Sequence, residues 1–238
     1  LERIRNSDRY TLVKGNLCSF DLLKHIVEKN KVTHVVHFAA QSHVQRSFTD
    51  SLNYTNDNIV GTHTLLEVCR NNKYLKKFIH VSTDEVYGES MLEVDEKKKT
   101  EQSILCPTNP YAATKAGAEL IAQSYNHSFN MPIVITRGNN VYGPNQYPEK
   151  LIPKLINLLR EGKKCTIHGT KSAQIRRAFM HVDDVVDAVN IVWQYGCMGE
   201  IYNISSDDEI SVMDVTKLII RTLLNTTDYD KWITCLVF

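Results

Sequence analysis

Lys77-Phe-Ile-His-Val-Ser-Thr-Asp-Glu-Val-Tyr-Gly88 joins an apolar run to a polar turn, and the nature of that join decides the fold. Lys77–Ser82 reads as a strand. Thr83, Asp84 and Glu85 open the turn that follows it. Open parallel sheets hold their ligands just beyond the carboxyl ends of the strands, so these three side chains stand where chemistry is expected. One carboxyl group can act as acid and its neighbour as base when their environments differ. The competing reading is an ordinary turn rich in polar residues.

Working outward, short apolar runs alternate with helical patterns. Upstream, Leu52–Asn71 reads as a helix with Ile59, Leu65, Leu66 and Val68 apolar, and Val32–Ala40 as a buried strand. Before those come a helix over Ser19–Asn30, with Leu22, Leu23, Ile26 and Val27 on one face, and a strand over Tyr10–Lys14. Glu93–Glu101 is a mixed-charge stretch that reads as a solvated loop. Downstream, a long helix is expected over Tyr111–Asn130 after Pro107 and Pro110, then a strand over Pro132–Arg137. Helices at Leu151–Arg160 and Val182–Tyr195, a strand at Ile201–Ile204 and a helix capped by Ser211 and running to about Leu224 complete the pattern. This rhythm predicts an α/β fold: a parallel sheet with helices on both faces.

The chain has 238 residues, 42% hydrophobic and 23% charged, which suits a globular domain or one domain plus part of a second. A net charge of +1 gives no global field for nucleic acid or an anionic membrane, so an anionic ligand must be held by local groups. No apolar run approaches the roughly 18 residues of a membrane span. Six scattered cysteines without a C-x-x-C pair argue against a disulfide scaffold or a metal site and for a reducing, cytoplasmic setting. Leu1-Glu-Arg-Ile-Arg5 has no initiator Met and no apolar signal core after it, so the chain is expected to begin inside a longer gene product.

Three further stretches carry candidate chemistry. In Tyr111-Ala-Ala-Thr-Lys115 the hydroxyl and the ammonium are four residues apart and share a helix face. A neighbouring cation favours the phenolate and makes a tyrosine a usable base, although most such pairs are solvated helix surface. Phe38-Ala-Ala-Gln-Ser-His43 follows a strand, and small Ala39 and Ala40 let a ligand approach the backbone, unless they only pack a strand end. His43 is better read as a satisfied structural histidine. Arg137-Gly-Asn-Asn-Val-Tyr-Gly-Pro-Asn-Gln-Tyr-Pro-Glu-Lys150 is a loop punctuated by glycine and proline. It offers Asn139, Asn140 and Lys150 as sugar or phosphate contacts, and Arg176–Arg177 adds a cationic pair suited to a diphosphate.

S-T-D-E-V-Y-G, N-P-Y-A-A-T-K and R-G-N-N-V-Y-G-P-N-Q-Y-P-E-K-L-I-P occur in this order. Together they make the chain, from about Tyr10 to Leu224, resemble the dTDP-glucose and UDP-glucose 4,6-dehydratases of the extended short-chain dehydrogenase/reductase family. The T-D-E triplet sets these enzymes apart from the related 4-epimerases.

The resemblance implies a Rossmann-like, doubly wound parallel sheet that binds NAD. Residues 1–145 would form an incomplete cofactor-binding core, and residues 146–238 a mainly substrate-binding lobe interleaved with it and truncated. It implies that Tyr111 takes the proton from the sugar 4-hydroxyl, Lys115 holds the nicotinamide ribose, and Thr83 bonds the 4-oxygen. Glu85 would remove the C5 proton and Asp84 would protonate the departing 6-hydroxyl, giving a 4-keto-6-deoxy sugar. Asn16, Leu17, Phe38, Ala39, Ala40, Gln41 and Ser42 would line the cofactor. Ser42, Thr83, Asn140, Lys150, Leu151 and Arg177 would contact a dTDP-glucose or UDP-glucose substrate. Relatives pair as homodimers through helices matching Leu52–Asn71 and Tyr111–Asn130.

Two departures accompany the resemblance. The family opens with a strand, a G-x-x-G-x-x-G turn and a helix whose N-terminus faces the pyrophosphate. Here the first β-α unit is lacking, and Gly15 is the only glycine before Gly61. Asn16-Leu17 stands where relatives carry Asp and an aliphatic residue beside the adenine. At the far end the chain stops at Phe238, where relatives continue with an arginine-bearing segment. These 238 residues alone are accordingly expected to bind NAD weakly. A 4-epimerase and a non-catalytic truncated product are the alternatives.

Overall fold

The computed structural model describes residues 4–88, 98–168 and 176–236. They fall into two compact units, Leu1–His80 with Pro107–Ile133 and Val81–Cys106 with Val134–Phe238. Of the expected loop at Glu93–Glu101, positions 93–97 lie outside the described residues.

The first unit contains helix α1 (Phe20–Lys29) and strand β1 (His34–His37), with two short helices, α2 (Val44–Ser47) and α3 (Ser51–Tyr54), after it. A π-helical segment, Thr55–Val60, leads without a break into α4 (Gly61–Arg70). Strand β2 (Lys77–Thr83) starts in this unit and pairs parallel with β1, from His34 opposite Lys77 to His37 opposite His80. The long helix α5 (Pro110–Phe129) starts where the sequence signals it. Asn109 caps it by accepting the Ala112 N–H at 2.8 Å, and Pro110 occupies the first turn, where its missing N–H costs nothing. Asn130, left-handed at φ 52°, ends it.

Small residues let α5 pack closely. A Cβ on Gly117 would stand 2.9 Å from the Ile59 Cδ1, so the π-helical segment rests on bare backbone there. Tyr54, Leu66, Phe78, Ala112, Ala118 and Ala122 are fully buried and form the centre of this unit.

The second unit opens with a 3₁₀ turn, Asp84–Tyr87, at the carboxyl end of β2. Strand β3 (Ile133–Gly138) pairs parallel with β7 (Ile201–Ile204), from Ile135 opposite Ile201 to Gly138 opposite Ile204. Strand β4 (Asn140–Tyr142) pairs parallel with β6 (Arg176–His181), which pairs antiparallel with β8 (Glu209–Ser211). Strand β5 (Cys165–His168) pairs parallel with β9 (Ile233–Leu236). The helices are α6 (Leu151–Arg160), α7 (Val182–Tyr195), α8 (Val212–Leu224) and α9 (Tyr229–Trp232). Leu155, Leu159, Cys165 and Ile220 form a buried cluster, against which Tyr229, Trp232 and Ile233 pack. Ser211 caps α8: its hydroxyl accepts the Asp214 N–H at 3.0 Å and donates to the Asp214 carboxylate at 2.6 Å.

The chain is thus an α/β protein with parallel strand pairing, as expected. Two expected strands differ. Tyr10–Lys14 forms no strand, and Leu12 and Val13 are 58% and 47% exposed. An apolar run without a partner ladder among the described residues lacks the hydrogen bonds that would hold it as a strand. The strand expected over Val32–Ala40 is only His34–His37, because its ladder stops where His37 faces His80. Phe38, just past that ladder, is 59% exposed, and Val32, Val35 and Val36 are half-buried.

Candidate active site

In the first unit, α5 presents Tyr111 and Lys115 on a buried face, at 9% and 4% exposure. The Tyr111 N–H donates to the Ser47 hydroxyl at 3.2 Å, which ties the start of α5 to α2. Burial pulls the Lys115 ammonium down to about 8, and the neighbouring Glu119 carboxylate opposes the shift. Two buried histidines flank this cation electrostatically. The His37 and His80 rings lie 5.5 Å apart, and the His37 Nε2 hydrogen-bonds the Thr62 hydroxyl at 2.8 Å. Burial, then the Lys115 charge, lowers His37 to about 4. His80 is held well below the usual imidazole range by burial, then by Lys115 and His37. Both rings are therefore neutral near pH 7, and Lys115 carries the positive charge of the cluster.

The stretch leaving β1 is set by Asn58, a buried residue of the π-helical segment. Its carboxamide oxygen accepts the Gln41 N–H at 2.7 Å, and its NH₂ donates to the Gln41 carbonyl at 3.0 Å and to the Thr114 hydroxyl at 2.9 Å. The Gln41 side chain donates to Asp57 at 2.8 Å. Phe38, Ala39 and Ser42 are exposed and Ala40 is half-buried, so this backbone is open to a ligand. His43 caps α2 by accepting the Arg46 N–H at 3.2 Å, the structural role expected of it. Asn16 is exposed and its side chain accepts the Cys18 N–H at 2.8 Å, while Leu17 is half-buried.

In the second unit, Thr83 ends β2 and caps the 3₁₀ turn by accepting the Glu85 N–H at 3.3 Å. Its hydroxyl donates to the Asp84 carboxylate at 3.2 Å. Burial, then the adjacent Glu85 charge, raises Asp84 to about 6, against the opposing pull of the Thr83 hydrogen bond and the Arg177 charge. Asp84 thus holds a proton far more readily than an ordinary carboxyl. Arg177 lies on β6, opposite Ile210 of β8. Asn140 starts β4 opposite Phe179. Lys150 is the residue before α6, and Leu151, its first residue, packs on the Leu155–Ile220 cluster.

The first unit therefore gathers Tyr111, Lys115 and, through Asn58, the Gln41 backbone. The second gathers Thr83, Asp84 and Glu85 within the reach of Arg177. Asn58, His37 and His80 carry no motif of their own. The available sign was polar residues inside otherwise apolar runs, which must find partners once buried.

Among the described residues, no helix is long and apolar enough to cross a membrane. The sequence profile of the GDP-mannose 4,6 dehydratase family matches residues 1–232. The chain is 52% identical over 219 residues to a dTDP-D-glucose 4,6-dehydratase of Dictyostelium discoideum, covering 89% of this chain and 50% of that protein. It is 46% identical over 216 residues to a trifunctional UDP-glucose 4,6-dehydratase, epimerase and reductase of Arabidopsis thaliana, covering 90% of this chain and 31% of that one. Among solved structures, the dTDP-glucose 4,6-dehydratase DesIV of Streptomyces venezuelae, with NAD bound, aligns with a TM-score of 0.90 at 34% identity, over 100% of this chain and 70% of that one. The chain spans half the length of the Dictyostelium relative.

Proposed function

The chain belongs to the GDP-mannose 4,6 dehydratase family, and from that membership we propose that it acts in the NAD-dependent dehydration of a nucleoside-diphosphate-glucose to its 4-keto-6-deoxy sugar. Asp84 carries the reading. It is held protonated to about 6 and shares one turn with a second carboxyl group, Glu85. An elimination across C5 and C6 needs one group to take a proton and another to give one, and such a pair divides those roles. Relatives that act on dTDP-glucose and on UDP-glucose are comparably similar, so the proposal is for a nucleoside diphosphate with either base.

The residues of the first unit suit a nicotinamide ribose. A buried hydroxyl and a desolvated ammonium share a helix face, and Asn58 fixes an open stretch of backbone beside two alanines. When bound, NAD would supply the hydride acceptor for oxidation at C4 and return the hydride at the end. Tyr111 takes the 4-hydroxyl proton, and Lys115 holds the ribose and favours the phenolate. Thr83 bonds the 4-oxygen. Glu85 takes the C5 proton, which the 4-ketone has acidified, and Asp84 gives a proton to the departing 6-hydroxyl. Phe38, Ala39, Ala40, Gln41 and Ser42 line the cofactor, with Asn16 and Leu17 toward the adenine. Asn140, Lys150, Leu151 and Arg177 hold the nucleotide and diphosphate. On this reading residues 1–145 belong to a Rossmann-like, doubly wound core and residues 146–238 to a substrate lobe. A second copy is the proposed partner, through the helices that expose Leu52, Val60 and Leu120.

No G-x-x-G-x-x-G turn lies within these residues, so the test joins the chain to a relative's glycine-rich strand-turn-helix segment. With NAD and dTDP-glucose or UDP-glucose, the expected product is the 4-keto-6-deoxy sugar. A 4-epimer in its place would overturn the dehydration.

A further inference from the structure

Arg137, near the carboxyl end of β3, is 2% exposed. A guanidinium cannot shed its charge, so its burial demands acceptors and a polarisable neighbour. Its carbon lies 4.8 Å from the centroid of the Tyr87 ring. Its Nη1 donates to the Tyr87 hydroxyl at 2.6 Å and to the Glu101 carbonyl at 3.1 Å. The Tyr87 hydroxyl donates onward to the Asn203 side chain of β7 at 2.7 Å. The Asn203 N–H in turn donates to the Glu101 carboxylate at 2.8 Å. One network thus joins β3, β7 and the loop at Glu101 to Tyr87, the last residue of the Asp84–Tyr87 turn.

The same end of the turn is secured through its backbone. The Gly88 N–H donates to the Glu85 carbonyl at 3.1 Å, with Gly88 at φ 85°, where a side chain would be strained. The Cys106 N–H donates to the carbonyl of buried Val86 at 2.9 Å. Thr83, at the other end, is held in β2. Asp84 and Glu85 lie between two anchored ends.

We propose that Arg137 and Tyr87 are positioning residues, which clamp the carboxyl end of the Asp84–Glu85 turn and so hold the acid and the base in a fixed, partly dry setting. This rests on the reading of Asp84 and Glu85 as the elimination pair. The clamp acts through the turn and needs no contact with substrate. A misplacement of about 1 Å at reacting groups can cost about 10²-fold in rate, so a turn free to breathe would not serve an acid and a base.

The test follows the Asp84 carboxyl by carbon-13 NMR in the unaltered chain and in Tyr87→Phe and Arg137→Lys, with Asp84→Asn identifying the signal. Burial is the chief cause of this shift, and Glu85, Thr83 and Arg177, the side chains that adjust it, are left unsubstituted in both variants. In the unaltered chain the midpoint is expected near 6. With the clamp cut, water reaches the turn and the midpoint falls by about one pH unit. A general loss of stability would lower the melting temperature and leave the midpoint where it was. An unchanged midpoint in the folded variants overturns the proposal, as does an ordinary carboxyl midpoint in the unaltered chain. Should Arg137→Lys not fold, Tyr87→Phe decides alone, since it keeps the ring and removes only the hydroxyl. The measurement needs no turnover, so failure to form product in the assay above counts against the reaction and not against the clamp.

Discussion

Lys115 in the first unit and Asp84 in the second are driven by the same force to opposite ends. Each is chiefly shifted by burial, which penalises whichever form is charged. For the ammonium that means easier loss of a proton, with a midpoint of about 8. For the carboxyl it means easier retention, with a midpoint of about 6. Their neighbours differ accordingly. Lys115 has two neutral histidines and the opposing Glu119 carboxylate, while Asp84 has the like charge of Glu85 beside it and Arg177 pulling the other way. Desolvation alone does not make a residue an acid or a base. The type of group buried does, and the neighbouring charges adjust how far it goes.

The largest expected effect removes the acid and base together. In the chain completed with a glycine-rich segment, Asp84→Asn with Glu85→Gln is expected to cut 4-keto-6-deoxy product by about 10³-fold or more, while bound NAD is still reduced. Product at the unaltered rate would break the assignment of roles. Tyr111→Phe acts on the other unit and is expected to slow the first oxidation about 10²-fold, read as NADH absorbance in a single turnover. An unchanged rate there would mean that another group takes the proton.

Two stability measurements sharpen the contrast, because their pH slopes have opposite signs. The folded Lys115 midpoint of about 8 lies below the ordinary 10.5. The unfolded chain therefore binds this proton more tightly, and folding carries a penalty below pH 8 that is relieved as pH rises toward 10.5. Lys115→Met should remove that slope and stabilise the fold at pH 7 by about 2 kcal/mol, read by denaturant melts across pH. For Asp84 the folded midpoint of about 6 lies above the ordinary 3.8. Here the folded chain binds the proton more tightly, so stability falls as pH rises from 3.8 to 6 and the penalty is complete above 6. Asp84→Asn should recover about 1.5 kcal/mol at pH 7, a smaller gain because the side chain keeps some access to water. Slopes of the same sign would show that the two groups are not shifted by a shared cause.

What the sequence disclosed, and what it hid, follows the range of the interactions involved. Helices α6 and α7 and strand β7 have the bounds expected of them, and α8 starts at the Ser211 cap, because periodicity and capping act over three or four residues. The Tyr111–Lys115 face was legible for the same reason. Asn58 was not, because its partners Gln41 and Thr114 are 17 and 56 residues away. The Tyr87–Asn203 bond spans 116 residues, and no local pattern announces it. Tyr10–Lys14 and Val32–Ala40 erred in the opposite direction. Apolar content suggested more strand than the described ladders support, since a strand depends on its neighbour as much as on its own residues.

The π-helical segment Thr55–Val60 constrains the gene as well as the protein. A π turn holds one residue more than an α turn, so this stretch amounts to an insertion that the helix has kept. A π turn sweeps about the same angle as an α turn with one residue fewer, so removing one of those residues would let the segment close into α form with the helices before and after it still in phase. What would go is the widened turn itself, the backbone setting from which Asn58 bonds Gln41 and Thr114. Loss of a single codon here is thus expected to spare the helix and to cost the Asn58 bonds to Gln41 and Thr114, so the count of residues matters alongside their identities.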